Sequence, residues 1–216
     1  RHDVGTGLII AANRTRNPGE AETHARLAKR FVGEGLGAGA DVGVVGFGLS
    51  NDETRGDTRD FEKAFRLARD AGLIAVPHAG ELRGPGSVRL ALERLGASRI
   101  GHGVRSVEDP RLLDDLARLG VACEVNPVSN VALGVHDSTD ESPVLALRSA
   151  GVLVAVGADD PLLFRASLLD NYRALNLTDE QAADLAVCSI RASAAPDDVK
   201  SQLLGEITAW LNATRS

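Results

Sequence analysis

Leu73-Ile-Ala-Val-Pro-His78-Ala-Gly-Glu81 is the stretch on which the fold is decided. Five apolar residues run without a polar break and then give way to an imidazole, two small residues and a carboxylate. A short apolar run of this kind, with glycine before and after it, reads as a buried strand. Outward from it, Arg59–Gly72 and Ser87–Leu95 carry helical periodicity, and the alternation continues in both directions. Further apolar runs stand at Gly7–Ala12, Val42–Leu49, Arg99–Val104, Val121–Pro127 and Val152–Asp159. Pro18–Gly33, Pro110–Leu119, Ser142–Ala150 and a tail from Leu162 onward supply the helices between and after them.

The punctuation agrees with this division. Gly72, Gly96, Gly120 and Gly151 each precede a strand, where a helix ends most easily on a left-handed glycine. Asp109-Pro110 and Asp160-Pro161 each offer an acidic N-cap followed by proline at the first helical position. Six βα units in series predict a parallel sheet covered by helices. An open nucleotide-binding sheet would show G-x-G-x-x-G or a P-loop after its first strand, where Ala11-Ala12-Asn13-Arg14-Thr15 stands instead. Polar and ionisable residues gather at the C-terminal ends of four different strands, which is where a closed (β/α) barrel keeps its active site. The expectation is therefore an α/β barrel forming one domain over residues 1–216. In the tail, Val199, Leu203, Leu204, Ile207 and Leu211 form one stripe that is expected to pack on the barrel.

Composition narrows the function. Twenty-four basic and 30 acidic residues give a net charge of −6, which argues against a nucleic-acid or anionic-membrane binder. The arginines are spread among Asp and Glu, as on a solvated face. No apolar run approaches the length of a membrane span. Cys123 and Cys188 form no C-x-x-C pair, so a reduced, cytoplasmic protein is expected; both read as buried small hydrophobes. The chain has no methionine and opens on Arg1-His2-Asp3, which reads as a segment of something longer.

Four strand ends carry groups suited to chemistry. His78 and Glu81 pair the commonest metal-ligating side chain with a nearby proton carrier. His102 lies between Gly101 and Gly103, which leave room for close approach to its ring. Asp159 and Asp160 leave the last strand in different directions, so one carboxylate can take a metal while the other faces a ligand or caps the following helix. Ser50–Glu53 and Asn126–Asn130 carry amides and hydroxyls that read mainly as turn chemistry. His2, His24 and His136 look dispensable, and no G-x-S-x-G nucleophile elbow is present.

These blocks together resemble the adenosine deaminase family of metal-dependent amidohydrolases. The resemblance rests on His78-Ala-Gly-Glu81, on Arg99-Ile-Gly-His102-Gly-Val-Arg105 with Glu108-Asp-Pro110, on Glu124-Val-Asn-Pro-Val-Ser-Asn130-Val-Ala-Leu-Gly134, and on Asp159-Asp160-Pro161. It implies a (β/α)8 TIM barrel of the amidohydrolase type, present here as about six βα units (strands three to eight) plus C-terminal helices. It further implies a hydrolase binding one Zn2+ per chain, with His78 and Asp159 as metal ligands. Glu81 would protonate the purine ring, His102 would orient or deprotonate the water that attacks it, and Asp160 would hydrogen-bond the five-membered ring. Gly80 and Asn51 would line the substrate.

This chain departs from the family pattern at three points. The family's opening His-x-His pair is absent from these 216 residues. Asn51 stands before Asp52-Glu53 where adenosine-specific members carry glycine, and Asn126 stands where many have cysteine. The expected activity is hydrolytic deamination of a 6-aminopurine nucleoside or base. The alternatives are deamination of another amino-heterocycle such as aminodeoxyfutalosine, or a non-catalytic purine-binding scaffold.

Overall fold

A computed structural model of the chain describes residues 6–33 and 43–214; Arg1, His2, Asp3 and Val42, all named above, lie outside them. Residues 1–101 and 102–216 form two compact units.

In the first unit, β1 (Leu8–Asn13), β2 (Val44–Ser50) and β3 (Ile74–Ala79) pair in parallel and in chain order. Asn13 lies opposite Ser50 and Leu49 opposite Pro77, so these strands end side by side. Arg14 and Asn51, which follow β1 and β2, and His78, the penultimate residue of β3, therefore lie along one edge. β4 (Arg99–His102) comes next, entered through a hydrogen bond from the Ser98 N–H to the Ala75 carbonyl at 2.8 Å.

Helices cover this sheet through small and aromatic side chains. α1 (Pro18–Arg30) starts on Asn17, whose side chain accepts from the Gly19 N–H, and buries Ala21, Ala25 and Ala28 on one face. Arg59–Gly72 comes as two pieces: Asp57 caps a 3-10 turn, Thr58–Phe61, which runs into α2 (Glu62–Arg69). Phe65 of α2 meets Phe47 of β2 edge to face, with ring centroids 5.0 Å apart. Each such fully buried phenylalanine contributes roughly 2–3 kcal/mol by removing apolar surface from water. α3 (Pro85–Leu90) widens into a π turn over Ala91–Leu95. Gly72 and Gly96 end their helical segments at φ of 84° and 62°, as the sequence led one to expect.

In the second unit, α4 (Pro110–Leu119) has the bounds read from the sequence. Asp109 accepts from the N–H groups of Arg111 and Leu112, and Gly120 closes the helix at φ 67°. β5 (Ala122–Val125) and β6 (Val154–Val156) pair in parallel, Cys123 opposite Val154. β4, β5 and β6 are all shorter than their apolar runs. β4 stops at His102 because His102 and Gly103 both take left-handed backbone, at φ 67° and 68°, and Val104 enters a 3-10 turn. β5 stops at Val125 because Pro127 opens α5 (Pro127–Ala132), so residues read as a turn form a helix instead. β6 ends before Gly157, and Asp159 at φ 56° turns the chain away.

The remaining helices are α6 (Val144–Ser149), α7 (Pro161–Phe164), α8 (Leu168–Ala174), α9 (Asp179–Ala192) and α10 (Asp197–Thr214). Arg148 of α6 grips the Asp184 carboxylate of α9 at 2.8 and 3.1 Å and donates to the Val152 carbonyl. α9 packs on β6, whereas α10 packs on α9 and buries none of its residues fully. The apolar stripe of the tail thus meets a helix and not the strands. Leu203, Ile207 and Trp210 face Ala182, Ala186 and Ile190 across a cavity of about 350 Å³. Among the described residues no helix is long and apolar enough to cross a membrane.

Candidate active site

His78, the penultimate residue of β3, is half-buried, and the chain turns at Gly80, at φ 68°, to place Glu81 in a buried position. The turn is gripped from two sides. Arg14, only 3% exposed after β1, donates from its guanidinium to the His78 carbonyl at 2.5 Å. Glu53, 1% exposed, accepts from the N–H groups of Gly80 (2.6 Å), Glu81 (2.8 Å), Leu82 (2.8 Å) and Arg83 (3.0 Å), and from the Ser87 hydroxyl. Burial alone would push the Glu53 carboxyl up. The Ser87 hydroxyl and the backbone N–H groups outweigh that and hold it below the ordinary glutamate value.

Arg14 and Glu53 were missed by sequence reading, for different reasons. Arg14 departs from the solvated pattern of the other arginines, and nothing in its neighbours marks it as buried. Glu53 follows two residues that do form turn contacts: Asn51 accepts from the Asp52 N–H, and Asp52 accepts from the Thr54 N–H and hydroxyl. The partners of Glu53 are 27–34 residues away.

Gly101 also has a role different from the one expected. A Cβ built on it would lie 2.5 Å from His78 Cδ2 and 3.2 Å from Nε2. The missing side chain makes room for His78, on the neighbouring strand, and not only for an approach to His102.

In the second unit, the buried His102 ring brings Nδ1 to 3.5 Å from the side-chain amides of both Asn126 and Asn130. The Asn126 amide also donates to the Glu124 carbonyl at 3.3 Å. His102 and Asp159 offer ligand atoms within 4.8 Å of each other. Asp160 caps α7, its Oδ1 accepting from Leu162 and Leu163, both at 3.0 Å. Oδ2 takes no part in that cap, so capping and ligand contact are compatible. His24 lies on α1 and His136 in the loop before α6.

Five non-glycine residues among those described have positive φ, and Asn51, His102 and Asp159 are three of them. Left-handed backbone costs an L-residue roughly 1–2 kcal/mol, and such strain collects where side chains must be aimed. The cysteines, by contrast, lie away from solvent. Both are buried and free, and burial pushes the Cys123 thiol up to about 12 and the Cys188 thiol upward as well.

Comparison with known proteins follows the same lines. The family model for adenosine deaminase matches residues 2–210. A protein of Streptomyces virginiae named a putative adenosine/adenine deaminase is 53% identical over 212 residues, 96% of this chain and 60% of that protein. The crystal structure of an adenine deaminase from Arthrobacter aurescens is 31% identical and superposes with a TM-score of 0.85, covering 95% of this chain and 62% of that one. An amidohydrolase from Burkholderia ambifaria, 23% identical, shares the fold at a TM-score of 0.83 over 97% of this chain and 58% of its own. The chain thus spans about 60% of the length of the relatives it matches. Its fold is the α/β fold of the amidohydrolase deaminases, and the chain belongs to the adenosine deaminase family.

Proposed function

We propose that the protein is a hydrolytic deaminase that exchanges the 6-amino group of an aminopurine, base or nucleoside, for oxygen. Water adds at carbon 6, the C–N bond breaks, and ammonia leaves. Adenine is the first candidate substrate, since the solved relative from Arthrobacter aurescens is named an adenine deaminase. The observation that carries this reading is the His78–Glu81 turn, which sets a buried carboxyl group three residues after a histidine at a strand end.

His78 and Asp159 are the residues that would hold a zinc ion, one per chain. Imidazole nitrogen and carboxylate oxygen are donors zinc takes. The bare Cα of Gly101 lies beside the His78 ring, and the exposed Asp159 carboxylate makes no hydrogen bond among the described residues. A zinc ion supplies a nucleophilic oxygen at neutral pH by lowering the pKa of a coordinated water to about 7. Glu81 lends a proton to the ring nitrogen next to carbon 6 as the attacking oxygen arrives. His102 orients that water and takes up its proton. Asp160 hydrogen-bonds the five-membered ring through the carboxylate oxygen not used for capping, while Gly80 and Asn51 line the purine.

The test is ammonia release from adenine, adenosine and other 6-aminopurines by the purified protein, with zinc measured per chain. Glu81→Gln is expected to lower turnover by about 10²-fold or more, as for loss of a general acid, with zinc content unchanged. Retained turnover in that variant overturns the role of Glu81. A wild-type protein that binds zinc and purine yet releases no ammonia replaces this reading with the non-catalytic binding one.

A further inference from the structure

The Glu53 carboxylate is saturated. Oε1 accepts from the Gly80 N–H and the Ser87 hydroxyl, and Oε2 accepts from the N–H groups of Glu81, Leu82 and Arg83. Five donors on two oxygens leave no capacity for a substrate atom, and at 1% exposure none could reach it. Four of the donors are consecutive amides of one turn, so the carboxylate holds backbone and not side chains. Charge-assisted hydrogen bonds of this kind are about twice as strong as neutral ones. The opposite end of the turn is held by the Arg14 guanidinium on the His78 carbonyl. An anion at the amides and a cation at the carbonyl fix both ends of the segment that carries His78 and Glu81. A glutamate that only filled the core would need fewer partners, and they would not fall on successive residues of one turn.

We propose that Glu53 is a positioning residue, whose buried carboxylate sets the backbone of residues 80–83 and thereby aims Glu81. This rests on the deaminase reading above for what Glu81 is aimed at, but not for the positioning itself.

Glu53→Gln separates the two. It keeps the shape and replaces an acceptor oxygen with an amide that faces N–H donors. Amide hydrogen exchange at Gly80–Arg83 is expected to accelerate at least about 10-fold while the amides of β2 and β3 keep their protection. Turnover of the best aminopurine is expected to fall about 10–100-fold, the usual effect of losing a group that orients a reacting one, chiefly in kcat and with little change in KM. Glu53→Asp, which keeps the charge but shortens the reach, is expected to fall between the two, and it carries the same readout if the glutamine variant does not fold. Exchange that rises equally in the turn and in the strands means that Glu53 merely supports the core, and overturns the proposal; so does unchanged exchange at residues 80–83. Local acceleration in a protein that deaminates no aminopurine upholds the positioning role and rejects the proposed activity.

Discussion

The His78 ring lies against Gly101 so closely that a single methyl group there would come within 2.5 Å of Cδ2. Two residues on neighbouring strands thus share the volume of one side chain. Gly101 has no left-handed backbone, so alanine is conformationally acceptable there and its whole effect falls on the ring. Gly101→Ala is expected to cost about 1–3 kcal/mol of stability through overpacking, and to reduce zinc content and turnover about 10–100-fold by tilting His78. Urea unfolding and metal analysis on the same preparation check it. Wild-type zinc with an intact turnover rate would mean that the ring can move without consequence.

Glu53 gives the protein an acid-sensitive component. Its carboxyl is held below the ordinary value of 4.5 in the folded state, so the folded state binds that proton less readily than the unfolded one. The sign follows directly: its contribution to stability is fully present above about pH 4.5 and is lost as pH falls through the lower folded value. Stability measured by urea unfolding from pH 6 to pH 3 is expected to fall more steeply for the wild type than for Glu53→Gln. Parallel curves would place the acid sensitivity elsewhere.

Cysteine chemistry should be silent. Cys123 is fully buried with its thiol pushed up to about 12, and thiolate is the reactive form. At pH 8 a chromogenic disulfide reagent is expected to leave Cys123 and Cys188 untouched in the native protein and to label both after unfolding. A raised thiol value also means that this contribution to stability is complete below the unfolded value of 9.0, and is lost as pH rises through it toward the folded one. Rapid labelling of the native protein would show that the second unit opens on the reagent's timescale.

Much of this was legible in the residues. Glycines at 72, 96, 120 and 151 end helical segments on left-handed backbone, and the aspartates at 109 and 160 cap helices through their own side chains. Both are local effects, governed by residues within one turn, and a sequence displays them directly. The strand ends were less so. An apolar run continues through Val104 and Pro127 although the strands have already stopped, because the left-handed turn at His102–Gly103 and the helix opened by Pro127 override apolar character. Least legible were Arg14 and Glu53, charged residues whose partners come from distant segments. Asn51 and Asp52 beside Glu53 do what short polar residues in a turn do, and that concealed the one that does not.

The left-handed residues carry a consequence for anyone selecting improved variants of this protein. Asn51 and Asp159 are exposed and sit in backbone that glycine occupies without strain. A screen that rewards heat resistance alone has a reason to replace both with glycine, gaining up to about 1 kcal/mol each. The winners of such a screen would be sturdier molecules that had discarded a candidate metal ligand and an amide proposed to line the substrate, so ranking by melting temperature would run against ranking by turnover.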